Sequence, residues 1–116
     1  MSDPILFTHA AASEAVTEIR DAGKRPFTVC HTRGTMVLEL YAPRGVDDQQ
    51  PHSQDELYFV VKGSGTFVCD GERVSFGPGD ALFAAAGVEH RFENFTDDLE
   101  TWVVFYGPEG GEFPRS

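Results

Sequence analysis

The amino-acid sequence predicts an all-β fold, a sandwich or closed barrel, preceded by one short helix. Three observations carry this. From Pro26 onward the chain is a series of eight runs, four to seven residues long, rich in β-branched and aromatic residues. Gly, Pro and Asp separate the runs, and Arg33-Gly34, Lys62-Gly63-Ser64-Gly65 and Asp70-Gly71 are turn signals. No helical periodicity lies between any two runs, which argues against a parallel sheet built with crossover helices.

Taken in order, the elements begin with a helix over 13–22. Ser13 is placed as its cap, Ala15, Val16 and Ile19 recur on one face, and Gly23 follows as a C-terminal stop. The strands then fall at 27–31, 35–41, 56–62, 66–69, 73–76, 81–84, 89–95 and 101–106. Two of them, Leu57-Tyr58-Phe59-Val60-Val61 and Trp102-Val103-Val104-Phe105-Tyr106, are apolar on both faces. Their outer face therefore needs a cover, supplied by the N-terminal helix or, as the preferred expectation, by a second copy of the chain in a homodimer. The organisation is an arm and helix over 1–25, a barrel over 26–107 and an irregular Gly- and Pro-rich tail over 108–116.

Composition fits one domain. In 116 residues, 41% are hydrophobic and ten are Phe, enough for a single core. The net charge of −10, without any run of Lys or Arg, argues against nucleic-acid and anionic-membrane partners. No apolar run approaches the roughly 20 residues that span a bilayer. The opening residues lack the basic and apolar regions of a signal peptide, so a cytoplasmic location is expected. Cys30 and Cys69 show no paired spacing and read as small apolar residues.

The chemistry concentrates in Gln50-Pro51-His52-Ser53-Gln54-Asp55-Glu56-Leu57-Tyr58. On an extended strand, residues i and i+2 share a face, which directs Gln50, His52, Gln54 and Glu56 inward and Pro51, Ser53 and Asp55 outward. An imidazole and a carboxylate inside a small core need partners or a metal. His90 shares a face with Phe92 in the second stretch, Gly87 to Asn94. His52, Glu56 and His90 would form a two-histidine, one-carboxylate set that leaves open positions on a divalent metal, with Gln50 as a weak fourth ligand. Each His taken singly is more often a hydrogen-bonded core or surface group, an isolated Glu56 is by default an exposed ion-pair partner, and Gln54 reads more readily as a bracing hydrogen-bond donor than as a ligand. Tyr58, Val60 and Phe92 face inward as pocket lining, with Tyr41 and Phe105 or Tyr106 as neighbours.

These two stretches resemble the two motifs of the cupin superfamily. In the first, Gln50 stands at the first His position, His52 is the second His, Glu56 follows after three residues and Gly63 after six more. In the second, Gly79, Gly87, His90 and Asn94 match. The resemblance spans roughly 35–106, and the short interval between Gly63 and Gly71 is similar to that of small single-domain microbial cupins. It implies a jelly-roll β-barrel, often dimeric, with one metal near its centre held by Gln50, His52, Glu56 and His90. A Gln-His-Glu-His set is similar to the zinc set of the mannose-phosphate isomerase branch, and iron, zinc, manganese and nickel are all compatible. The resulting expectation is a metal-dependent enzyme acting on a small organic molecule in the manner of a non-haem dioxygenase. The alternatives are a redox-neutral isomerase, lyase or decarboxylase with a Lewis-acid metal, and a non-catalytic ligand-binding cupin. Tyr58, Phe92 and Gln54 are the expected contacts to the organic ligand.

Overall fold

The computed structural model describes residues 5–113. Helix α1 (Ala12–Ala22) is followed by β1 (Phe27–Arg33), β2 (Met36–Tyr41), β3 (Asp55–Lys62), β4 (Gly65–Cys69), β5 (Glu72–Phe76), β6 (Ala81–Ala84), β7 (His90–Glu93) and β8 (Glu100–Tyr106). Every pairing is antiparallel. One sheet has the order β1-β2-β8-β3-β6 and the other β5-β4-β7. This is the expected all-β barrel with one short helix. Among the described residues, no helix is long and apolar enough to cross a membrane.

The helix start differs from expectation. Ala11, not Ser13, occupies the cap position and offers no side-chain bond, while Ser13 lies inside the first turn, where its carbonyl accepts from the Thr17 hydroxyl. Gly23 ends the helix at φ 65°, donating its N–H to Ile19, a conformation that glycine reaches without steric cost.

Side chains alternate across the sheets and make two apolar layers. Tyr58, Val60, Phe67, Phe76, Phe92 and Val103 fill the space between the sheets. On the outer side of the larger sheet, Ala15 and Ile19 of α1 press on Leu40 and Ala42, with Cys30 and Trp102 at the margin. The helix therefore covers the β1-β2-β8 half of the doubly apolar surface. Phe59, Val61 and Phe83, on the β3-β6 half, remain 38–50% exposed.

Two contacts position the site. The segment between β2 and β3 is irregular over 42–54, and its His52 carbonyl accepts the N–H of Gly87 in the β6-β7 turn. Asp55, expected to point outward, is buried at the start of β3 and accepts the N–H groups of Ala86 and Glu112. Its carboxylate thus clamps the same turn and the C-terminal segment.

Candidate metal centre

Glu56 sits in β3, paired with Ala84 on one side and Phe105 on the other, and is 1% exposed. His90 opens β7 opposite Cys69 and is 2% exposed. His52 comes from the irregular segment and is half-buried against the Phe105 ring, 4.9 Å between centroids. One ligand atom from each of the three lies within 4.8 Å of the others. His90 Nε2 is 2.6 Å and His52 Nε2 4.0 Å from Glu56 Oε1.

Three features of this cluster suit a metal ion. The other Glu56 oxygen, Oε2, is buried without a hydrogen-bond partner, an arrangement that leaves this oxygen desolvated and unsatisfied. His90 Nδ1 lies 2.9 Å from the Val88 carbonyl, which holds the proton on that nitrogen and turns Nε2 toward the carboxylate. The donor types, two imidazoles and one carboxylate, match divalent transition metals. Burial alone would lower the His90 pKa, but the Glu56 carboxylate and the Val88 carbonyl outweigh it and the net direction is upward.

Gln50 does not join the cluster. It is exposed, and its amide nitrogen donates to the Asp48 carbonyl. The i, i+2 rule does not hold here because strand geometry begins only at Asp55. The preceding residue, Gln49, faces inward instead. Its Oε1 accepts the Tyr58 hydroxyl at 3.0 Å and lies 3.4 Å from His52 Nε2, while its Nε2 donates to Asp47 at 2.6 Å. Asp47, 4% exposed, also accepts the Phe92 N–H and a short bond from the Tyr41 hydroxyl. An Asp47-Gln49-Tyr58 relay therefore backs the three candidate ligands, and the Tyr58 oxygen lies 3.1 Å from His90 Nε2. Burial, then the neighbouring Glu56, raise the Tyr58 pKa well above its ordinary value, so its hydroxyl stays protonated.

Beside the cluster opens a cavity of ≈ 390 Å³, walled by Phe27, Tyr41, Val103 and Phe105 with His52, Gln49 and Tyr58 at its inner end. Of the expected ligand contacts, Tyr58 lines it. Phe92 does not: it is 1% exposed in the core behind Tyr58, stacked among Phe67 and Phe76. Gln54 does not either, because its amide donates to the carbonyls of Thr35 and Gly107 and braces two loops. Sequence reasoning missed Glu39, which lines the cavity and whose pKa burial and the charge of Glu56 push up to about 7. The signal was present, since Glu39 shares a β2 face with the inward Tyr41.

The fold and this cluster define a small β-barrel protein with a candidate metal triad and an adjoining organic cavity. Comparison with known proteins gives the family: the Cupin domain family model matches residues 37–106, and the chain belongs to the cupin family. An uncharacterised protein of Streptomyces coelicolor is 41% identical over 76 residues, covering 64% of this chain and 72% of the relative. Among solved structures, KdgF from Halomonas sp. superposes with a TM-score of 0.60 at 20% identity over 68% of this chain and 74% of its own. A Cupin 2 conserved barrel domain protein from Salinispora arenicola gives a TM-score of 0.59 at 20% identity, over 70% and 74%. At these identities the structural likenesses concern the fold.

Proposed function

We propose that the protein is a metal-dependent cupin enzyme that binds one divalent transition metal through His52, Glu56 and His90 and acts on a small organic molecule in the adjoining cavity. The observation that carries this reading is the orphaned Glu56 Oε2 inside a cluster of three ligand atoms beside that cavity. Two imidazoles and one carboxylate on one side of a metal leave positions for substrate and a co-reactant, the arrangement used by non-haem Fe(II) oxygenases. A bound metal would supply Lewis acidity or, if iron, one-electron chemistry with O₂. The chain's own residues do the rest. Val88 fixes the His90 tautomer, Gln49 and Tyr58 hold the inner wall, and Phe27, Tyr41 and Phe105 exclude water from the organic part of the ligand.

Oxygen uptake tests the dioxygenase form. Iron-loaded protein should consume O₂ with a member of a panel of small diketones, diphenols and keto acids, and uptake with none of them would remove it. A redox-neutral reading is favoured by one observation, Glu39. A carboxyl on the cavity wall whose pKa is raised first of all by burial can carry a proton to or from a ligand, the step an isomerase, lyase or decarboxylase requires. Anaerobic turnover of a keto-acid or sugar panel with zinc or manganese is its measurement.

A homodimer is part of the proposal. Phe59, Val61 and Phe83 leave the outer β3-β6 face apolar where α1 does not reach, and a second copy laid on this face would bury it. Light scattering at micromolar concentration should give twice the chain mass, and a monomer mass would rule the dimer out.

A further inference from the structure

In this chain nine cations stand among nineteen carboxylates. Lys62 pairs with Glu100, Arg73 with Glu93, and Arg91 with both Glu89 and Glu93. Arg33 donates to the Ile5 carbonyl, and Arg20, Lys24, Arg25 and Arg44 gather in one place. Among the described residues none of these four makes an ion pair, and all four line one surface pocket of ≈ 450 Å³ that no acidic side chain lines. Three stretches of chain deliver them: the last turn of α1, the link into β1, and the residues just past β2. The Ala42 N–H, bonded to the Pro26 carbonyl, and Arg20 Nη1, bonded to the Ala42 carbonyl, hold those stretches together.

Known partners account for only part of this charge. The C-terminal end of α1 presents roughly half a negative charge, against four positive ones. Arg25 rests over the Phe27 ring at 4.7 Å and its charge acts on Glu39. Glu18 is engaged by the Thr28 hydroxyl, and Glu100, which attracts Arg20 from a distance, by Lys62. Burial and the like charge of Arg44 both lower the Arg20 pKa, as expected of cations held together without a counter-ion. Among the described residues only two buried side-chain polar atoms lack a hydrogen-bond partner, Glu56 Oε2 and Arg20 Nε. The first lies at the candidate cation site; the second belongs to a residue that lines this basic pocket.

We propose that the pocket formed by Arg20, Lys24, Arg25 and Arg44 is an oxyanion-binding site, fitted to the phosphate or carboxylate group of a small molecule. A planar guanidinium suits either oxyanion. The site does not use the metal ligands. Pro26 lines both this pocket and the organic cavity, so an anion bound here lies at the cavity's flank.

The test is an amide NMR titration of the full chain with sodium phosphate and, separately, sodium acetate, against sodium chloride at matched ionic strength. Saturable shifts should appear at Gly23, Lys24, Arg25 and Arg44 with at least one oxyanion, and the tighter binder names the group. Lys24 and Arg44 are exposed, so the double variant Lys24→Gln/Arg44→Gln should fold as wild type and bind at least about tenfold more weakly. Lys62→Gln, a cation elsewhere, should bind unchanged. The proposal fails if neither oxyanion gives a saturable shift at those amides, if chloride reproduces the shifts, or if the double variant binds like wild type.

Discussion

Replacing Glu39 with glutamine removes a carboxyl from the cavity wall while keeping its shape, and the expected consequence is a change in how stability depends on pH. An ordinary glutamate titrates near 4.5, whereas folded Glu39 keeps its proton up to about 7. Between those values the native chain binds a proton that the unfolded chain does not. The native state is therefore increasingly penalised as pH rises, with no cost below 4.5 and the full cost above 7. The difference of 7 − 4.5 corresponds to a ceiling of ~3 kcal/mol at about 1.4 kcal/mol per tenfold change. Glu39 is only partly buried and opens on the cavity, so solvent screening reduces this to about 1–2 kcal/mol. His90, whose pKa is also raised, adds a loss in the same direction, present in both proteins and therefore cancelled in their difference. In urea denaturation with EDTA present, Glu39→Gln should match wild type at pH 4.5 and exceed it by about 1–2 kcal/mol at pH 8, or about 4–8 °C in Tm. Parallel curves across that range would refute the assignment of a destabilised carboxylate to this wall.

Three further substitutions probe other parts of the account. His90→Ala should abolish stoichiometric metal while leaving the β-rich circular dichroism intact, because the surrounding core of Phe67, Phe76 and Phe92 is apolar and independent of the ion; full metal content in that variant would show the ligand assignment to be wrong. Tyr58→Phe, which cuts the link from Gln49 to His90, should weaken metal binding about tenfold, as measured by competition with a chelator dye. Leu40→Ala, fully buried under α1, should cost about 3 kcal/mol in chemical denaturation, and a cost under about 1 kcal/mol would mean that the helix is not a packed cover.

Much of this architecture is legible in the sequence because its signals are local. Turn glycines bracket the strands, and Gly63 shows the constraint directly: at φ 92° an added Cβ would come within 2.7 Å of the Leu99 Cα. Asn94 closes the second motif at φ 51°, a conformation that asparagine tolerates better than most residues. His90 and Glu56 are readable as inward residues because each lies in a regular strand. Gln50 and Gln54 are not, since the chain up to residue 54 is irregular and period-two alternation carries no information there. The same irregularity hides Gln49 and Asp47. Arg20, Lys24, Arg25 and Arg44 escape notice for another reason: they are scattered over α1, the link to β1 and the chain beyond β2, and only the tertiary fold makes them neighbours.

The central claim is that His52, Glu56 and His90 hold a metal, and elemental analysis of untagged protein, purified without chelator, tests it most directly. The account predicts about one equivalent of a single divalent transition metal per chain, bound as isolated or taken up on titration. Protein that carries no such metal and binds none when iron, zinc, manganese and nickel are offered in turn would contradict it.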